Sequence, residues 1–333
     1  MNIMCYPKLS PLTGLAGFGG GAISLSVHKG ASGTGKWFGT RGIFAGGRKY
    51  DGSWSYSNII DYVTIGSAGN ATDFGDITNN RAYGAGAADG TRGLFLGGYT
   101  ASGNSNTIDY ITIASTGNAT DFGDITAARD QGGSACDGNF AYYAGGNPGA
   151  FTAVIDYVTV MTPGNGSDFG DLTVARYLMA GVNDLTRSCQ AGGDSSTSGL
   201  HMDIIDYFTM GTPGNASDFG DLNVSCSSPG SCSSEAGRGV WGGGYIDNSY
   251  NRTNRLEYVT IQTTGNGTDF GDLTYLPDDC AGSSDGSRGI IGGGYTGQSD
   301  VTIGYITIAS TGNASDFGDL TDARHGMSTC SGT

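Results

Sequence analysis

The chain is short of basic residues, histidine, proline and long apolar runs, and each shortage excludes something. Sixteen Lys and Arg stand against 31 Asp and Glu, a formal charge of −15. An acidic surface of that kind repels nucleic-acid phosphates and anionic membranes, so neither is expected as a partner. No apolar run approaches the ~20 residues of a spanning helix, so no membrane insertion is expected. The N-terminus, Met1-Asn-Ile-Met-Cys-Tyr-Pro-Lys8, has no basic start followed by an apolar stretch. It therefore lacks the pattern of a secretory signal, and synthesis in a cytoplasm is expected. Seven prolines beside 62 glycines in no Gly-X-Y register exclude collagen and point to many tight turns. The seven cysteines (Cys5, Cys136, Cys189, Cys226, Cys232, Cys280 and Cys330) show neither zinc-type nor disulfide-scaffold spacing, and are expected as reduced, buried residues.

What the chain has is a repeat. Asp-Phe-Gly-Asp followed by Ile or Leu begins at Asp73, Asp121, Asp168, Asp218, Asp269 and Asp316, in steps of 48, 47, 50, 51 and 47 residues. That period excludes most helical repeats and suits a propeller blade. Each unit divides into four strand signals. Strand b is an apolar run ending in Gly-Gly, as in Gly93-Leu-Phe-Leu-Gly-Gly98. Strand c is of the Ile108-Asp-Tyr-Ile-Thr-Ile113 type. Strand d contains the motif, with Phe74, Phe122, Phe169, Phe219, Phe270 and Phe317 as its apolar residue. Strand a follows Arg81, Arg129, Arg176 and Arg324. The frame opens on strand b at Arg41 and closes on strand a within 324–333. The expectation is an all-β, six-bladed propeller over residues 41–333, its first blade completed by the C-terminal strand, which removes open sheet edges.

This order of strands resembles the kelch motif, with Phe of Asp-Phe-Gly-Asp where kelch repeats usually carry Trp. Tandem units of Gly-Gly-Tyr, Ile-Asp-Tyr-Ile-Thr-Ile and Gly-Asn-Ala-Thr-Asp-Phe-Gly-Asp are similar to kelch-like structural proteins of tailed bacteriophages. The resemblance covers residues 41–333. It implies a virion protein of the tail, neck or a fibre, with residues 1–40 attaching it to other virion proteins. Leu15, Phe18, Ile23 and Leu25 of that glycine-rich segment would then supply the docking surface.

Several motifs carry a sharper and a blander reading. Gly30-Ala-Ser-Gly-Thr-Gly-Lys36 fits a phosphate-binding loop except that Trp37 stands where Ser or Thr would hold magnesium and no helix pattern follows, which argues against nucleotide binding. A kinase has Asp-Phe-Gly once, beside motifs this chain lacks, so six copies mean architecture. Paired carboxylates such as Asp73 and Asp76 could clamp calcium, though backbone hydrogen bonding in a tight turn is the reading preferred; no cofactor is expected. The sequons at Asn70, Asn118, Asn165, Asn215, Asn266 and Asn313 read as Gly-Asn turns of positive φ. The recurrent arginines invite comparison with a sialidase, but Cys226 and Pro277 replace two of them, and pairing with a nearby carboxylate is preferred. With only His28, His201 and His325 available, a galactose-oxidase-like copper site has few ligands, and an enzyme is not expected.

The repeat also permits comparison of its own loops. The c to d connections are nearly constant, whereas the b to c connections (48–58, 99–106, 147–153, 194–203, 245–254 and 295–302) vary. Topology places all six on one face. Their Tyr50, Trp54, Tyr56, Tyr99, Phe151, His201, Tyr245, Tyr250, Arg252 and Tyr295 are candidate ligand contacts, rigid aromatic surfaces among Ser, Asn and Gly as in paratopes. A host-surface glycan or protein is the partner this implies. The alternative is a scaffold or decoration protein touching only virion subunits. A glycan-cleaving enzyme would need carboxylates or arginines clustered on the same face.

Overall fold

A computed structural model describes residues 38–195, 201–234, 236–246 and 251–333. Leu15, Phe18, Ile23, Leu25 and the phosphate-loop-like residues 30–36 lie outside the described residues, as does Tyr250. The described residues belong to one compact unit spanning 35–333. They are all-β, with no helix among them.

Six four-stranded antiparallel sheets carry the fold among the described residues, each in the order a-b-c-d. Sheet 1 joins Ser328–Gly332 (a), Arg41–Ala45 (b), Ile59–Thr64 (c) and Thr72–Asp76 (d). Strand a of sheets 2 to 6 is Ala85–Ala88, Gly133–Cys136, Ala180–Asn183, Gly230–Ser233 and Ala281–Ser284 in turn. Strand b follows each, starting at Arg92, Phe140, Arg187, Arg238 and Arg288. After its first residue strand b is buried on both faces, which accounts for its mostly apolar residues; in sheet 4 Ser188 and Gln190 take buried places and bond one another. Strand c hides its Ile-Asp pair and its fifth residue, and strand d buries only the motif Phe.

The core lies between successive sheets. Ile43, Ile60 and Phe74 of sheet 1 pack with Phe95 and Ile111 of sheet 2. On its other side, Phe44 and Val63 of sheet 1 pack with Ile290, Ile303 and Phe317 of sheet 6. Each such side chain contributes roughly 1.5–3 kcal/mol by leaving water. All six described cysteines are buried and free.

The motif belongs to a strand and not to a tight turn. Strand d slips by one residue against strand c, so that Gly75 faces Ile60 while Asp73 faces Asp61, leaving Phe74 as the bulged residue that enters the core. A Cβ on Gly75 would stand 2.5 Å from the Gly117 backbone of the next repeat. The sequon asparagines also differ from expectation. Positive φ at non-glycine positions falls on Tyr83, Gln131, Leu178, Ser228 and Asp279 among the described residues, not on these Asn. Instead each Asn side-chain oxygen accepts the N–H of the last motif Asp of the preceding repeat at 3.1 Å: Asp76 to Asn118, Asp124 to Asn165, Asp171 to Asn215, Asp221 to Asn266, Asp272 to Asn313, and Asp319 to Asn70.

The recurrent arginines are buried and paired with the Asp of strand c, as preferred from the sequence. Arg81 meets Asp109 at 3.0 Å, Arg129 meets Asp156 at 3.0 Å, Arg176 meets Asp206 at 2.7 Å, and Arg324 pairs with Asp61. The same carboxylates accept from the Thr after the preceding motif, Thr78 Oγ1 to Asp109 at 2.7 Å and Thr321 Oγ1 to Asp61 at 2.6 Å. The first arginine of strand b lies over the strand c tyrosine and donates to a carbonyl of the next sheet, as Arg41 does over Tyr62 to Ile113 O. Arg288 does the same over Tyr305 to Ile65 O, from sheet 6 to sheet 1.

The linkers entering strand a carry the five left-handed residues, with Gly326 (φ 62°) in the sixth. Their peptides bond in a circuit. Gln131 donates to Tyr83, Leu178 to Gln131, Ser228 to Leu178, Asp279 to Ser228, Gly326 to Asp279, and Tyr83 back to Gly326, at 2.6–3.1 Å. Inside this circuit the second residues of strand a, Gly86, Ser134, Gly181, Ser231, Gly282 and Thr329, line a common cavity of about 110 Å³. Glycine and hydroxyl alternate there. Ser134, Ser231 and Thr329 donate to the carbonyls of Gly86, Gly181 and Gly282 at 2.6–2.8 Å.

Candidate recognition face

The b to c connections begin where strand b ends in two glycines of positive φ, such as Gly46 and Gly47, which turn the chain out of the sheet. The next residue pairs with the linker that enters strand a, as Arg48 does with His325 and Tyr99 with Ala82. Each variable loop is thereby set above the peptide circuit. Three of them carry a further small antiparallel pair, Arg48–Tyr50 with Trp54–Tyr56, Tyr99–Thr100 with Gly103–Asn104, and Tyr245–Ile246 with Asn251–Arg252.

Most of the candidate aromatics meet. Trp54 lies 5.1 Å from Tyr50, 5.8 Å from Tyr295 and edge-on to His325 at 5.5 Å. Tyr56 approaches Tyr99 at 6.0 Å. Arg252 lies over Tyr295 at 4.8 Å and Tyr245 at 5.5 Å, and pairs with Asp278. An arc of rings thus crosses the loops of sheets 5, 6, 1 and 2. Tyr50, Trp54 and Tyr99 are its exposed members, at 55%, 43% and 38%.

Two candidates stand apart from this arc's open surface. Phe151 stacks on Tyr177 at 4.3 Å, over sheets 3 and 4. His201 is buried; it stacks on Tyr245 and bonds Asp194 and Ser227 through Nδ1, a supporting position.

Beneath the arc lie polar groups that the reading of variable loops missed, because they come from the linkers. His325 Nε2 meets the Tyr83 hydroxyl at 3.1 Å and its Nδ1 meets Ser299 at 3.0 Å. Burial and the neighbouring Arg48 push this imidazole down to about 4. Burial, with the charge of Asp278 beside it, lifts Asp279 to about 7, and burial lifts Asp130 to about 6. The only signal for His325, Tyr83, Asp130 and Asp279 in the sequence is their position, one or two places after the recurrent Arg or, for Asp279, after the Pro277 that replaces it, where side chains differ from repeat to repeat.

The arrangement suits holding a ligand: flat rings on the surface, two guanidinium groups among them, and carboxyls recessed at the wall. Among the described residues no three His, Cys, Asp or Glu side chains gather as metal ligands. The motif carboxylates Asp73, Asp121, Asp168, Asp218, Asp269 and Asp316 lie exposed on strand d, the edge strand of each sheet. No protein-family model matches the chain, and no curated protein matches it.

Proposed function

We propose that the chain is a closed six-bladed β-propeller that binds a host-surface ligand through its variable loops, as a structural protein of a phage virion. The closed ring is supported by contacts that join sheet 6 to sheet 1: Asp319 to Asn70, in the form found at all six junctions, with Thr321 to Asp61 and Arg288 to the Ile65 carbonyl, forms found at most of them. The circuit of six peptides supports it independently. The virion assignment rests on the resemblance of the repeats to phage kelch-like proteins, with residues 1–40 as the attachment segment.

The observation that carries recognition is the contrast between an invariant frame and an exposed aromatic arc built from the loops that vary. Solvent-exposed rings held in place by neighbours lose little freedom on binding, which favours their use as anchors. Attachment of the full chain to intact host cells should be specific and saturable. Changing Tyr50 and Trp54 together to Ala should weaken it at least tenfold with the thermal melt unchanged. Undiminished attachment would move the contact elsewhere on the chain, and no attachment by the unaltered chain would favour a scaffold or decoration role among virion subunits.

A further inference from the structure

We infer that the ligand of this face is an acidic glycan, its carboxylate received by Arg48 and a sugar ring laid on the exposed surface of Tyr50 and Trp54. The inference rests on the reading of the loop face as a receptor-binding surface.

The argument begins with how the arginines are used. Arg81, Arg129, Arg176, Arg252 and Arg324 are paired with Asp, and Arg255 with Glu257. Arg41, Arg92, Arg187, Arg238 and Arg288 donate to backbone carbonyls. Arg48 alone does neither. Its guanidinium lies over the Trp54 ring at 4.4 Å and beside the Tyr83 hydroxyl, and no carboxylate among the described residues comes within ion-pair distance. The position is distinctive within the repeat, since the residue after Gly-Gly is Tyr99, Asn147, Asp194, Tyr245 or Tyr295 in the other sheets.

The charges that face Arg48 leave room for an anion. Lys49 is taken by Asp322 at 3.0 Å, and Arg252 by Asp278. Asp279 acts on Arg48 through space from the linker of sheet 6 without forming a pair. A planar guanidinium presents parallel N–H donors that match a carboxylate, and a half-buried one binds it more strongly than one in open water. The class of acid follows from the surroundings. Tyr50 and Trp54 offer flat, tilted rings, 57° apart, suited to the apolar C–H faces of a pyranose. Ser53, exposed at the turn between the two strands that carry these rings, adds a hydroxyl to the same surface.

The test uses the full chain with polygalacturonate and sialyl-oligosaccharides, each beside its carboxyl-reduced form, and poly-glutamate as an acidic peptide. Binding to an acidic glycan is expected to fall at least tenfold on carboxyl reduction. It should fall at least tenfold in Arg48→Met as well, and less in Arg48→Lys. The ligand-side comparison needs no variant, so a folding defect cannot imitate it. Equal binding of reduced and native glycans, or binding indifferent to Arg48→Met, would overturn the inference and leave the receptor-binding reading standing. Capture of poly-glutamate but no glycan would overturn the glycan class. Failure of the full chain to attach to host cells would overturn both.

Discussion

Tyr275 does with a hydroxyl what Arg324 does with a guanidinium. Arg324 Nη1 donates to the Gly46 and Ile59 carbonyls at 2.7 Å each; in sheet 6 the corresponding Gly293 and Thr302 carbonyls receive the Tyr275 hydroxyl at 3.0 and 3.2 Å. The exchange is coordinated. Pro277 replaces the arginine, Gly304 replaces its aspartate, and Tyr275 fills the space where the other repeats carry a smaller residue. In sheet 5 Cys226 replaces the arginine, and Glu257 turns to the Asn223 amide at 2.8 Å. Removing one partner of an intact pair should be severe. Arg176→Met leaves Asp206 buried with only Thr173 to satisfy it, and should cost ~3–5 kcal/mol in a denaturant titration. The pairing of the recurrent arginines was legible in the sequence because Arg and Asp recur in step. The role of Tyr275 was not, because a single departure from a repeat carries no period.

The recessed Asp279 adds a pH dependence. Its folded value of about 7 lies above the ordinary 3.8, so between those limits the native state holds a proton that the unfolded chain has lost. Stability therefore falls as pH rises from about 4 to about 7, and the penalty is complete above that. Asp279→Asn should melt higher than the parent at pH 8 and show little difference at pH 4. Asp278, Arg48 and Arg252 act on the same carboxyl, so the comparison holds them unchanged.

At the scale of the element, strand d shows how a four-residue motif acquires its composition. Phe fills the space between sheets, and Gly lets the strand bulge against the turn of the next repeat; the flanking Asp keep an outer edge charged, which discourages pairing with another chain. Gly220→Ala would bring a Cβ within 2.6 Å of Gly265 backbone at φ 144°, and should lower stability by about 2 kcal/mol or more. Gly66→Ala, which meets nothing within 4 Å, should change stability by less than about 0.5 kcal/mol. Paired urea midpoints check both. The strands themselves were readable, since period and burial agree in all six copies. The strand pairs inside loops 48–58, 99–106 and 245–254 and the left-handed linkers were not. Both depend on which neighbouring repeat lies above or below them, and Tyr83 or Leu178 gives no local sign of a left-handed backbone.

For the molecule as a whole, the pairing of Ser328–Gly332 with Arg41–Ala45 makes the stability of sheet 1 depend on the last strand of the chain. Deleting residues 324–333 removes strand a from sheet 1 together with Arg324, the partner of Asp61. The truncated chain should lose its single cooperative melt, while one shortened only by Thr333 should keep it. The alternation around the central cavity has a further consequence. Each glycine there admits a neighbouring carbonyl where a side chain would collide; a Cβ on Gly86, Gly181 or Gly282 would lie 2.1, 2.1 or 2.2 Å from the oxygen of Thr329, Ser134 or Ser231. A tally that goes glycine, hydroxyl, glycine, hydroxyl can return to its start only with an even number of members. Gain or loss of one repeat would set like beside like.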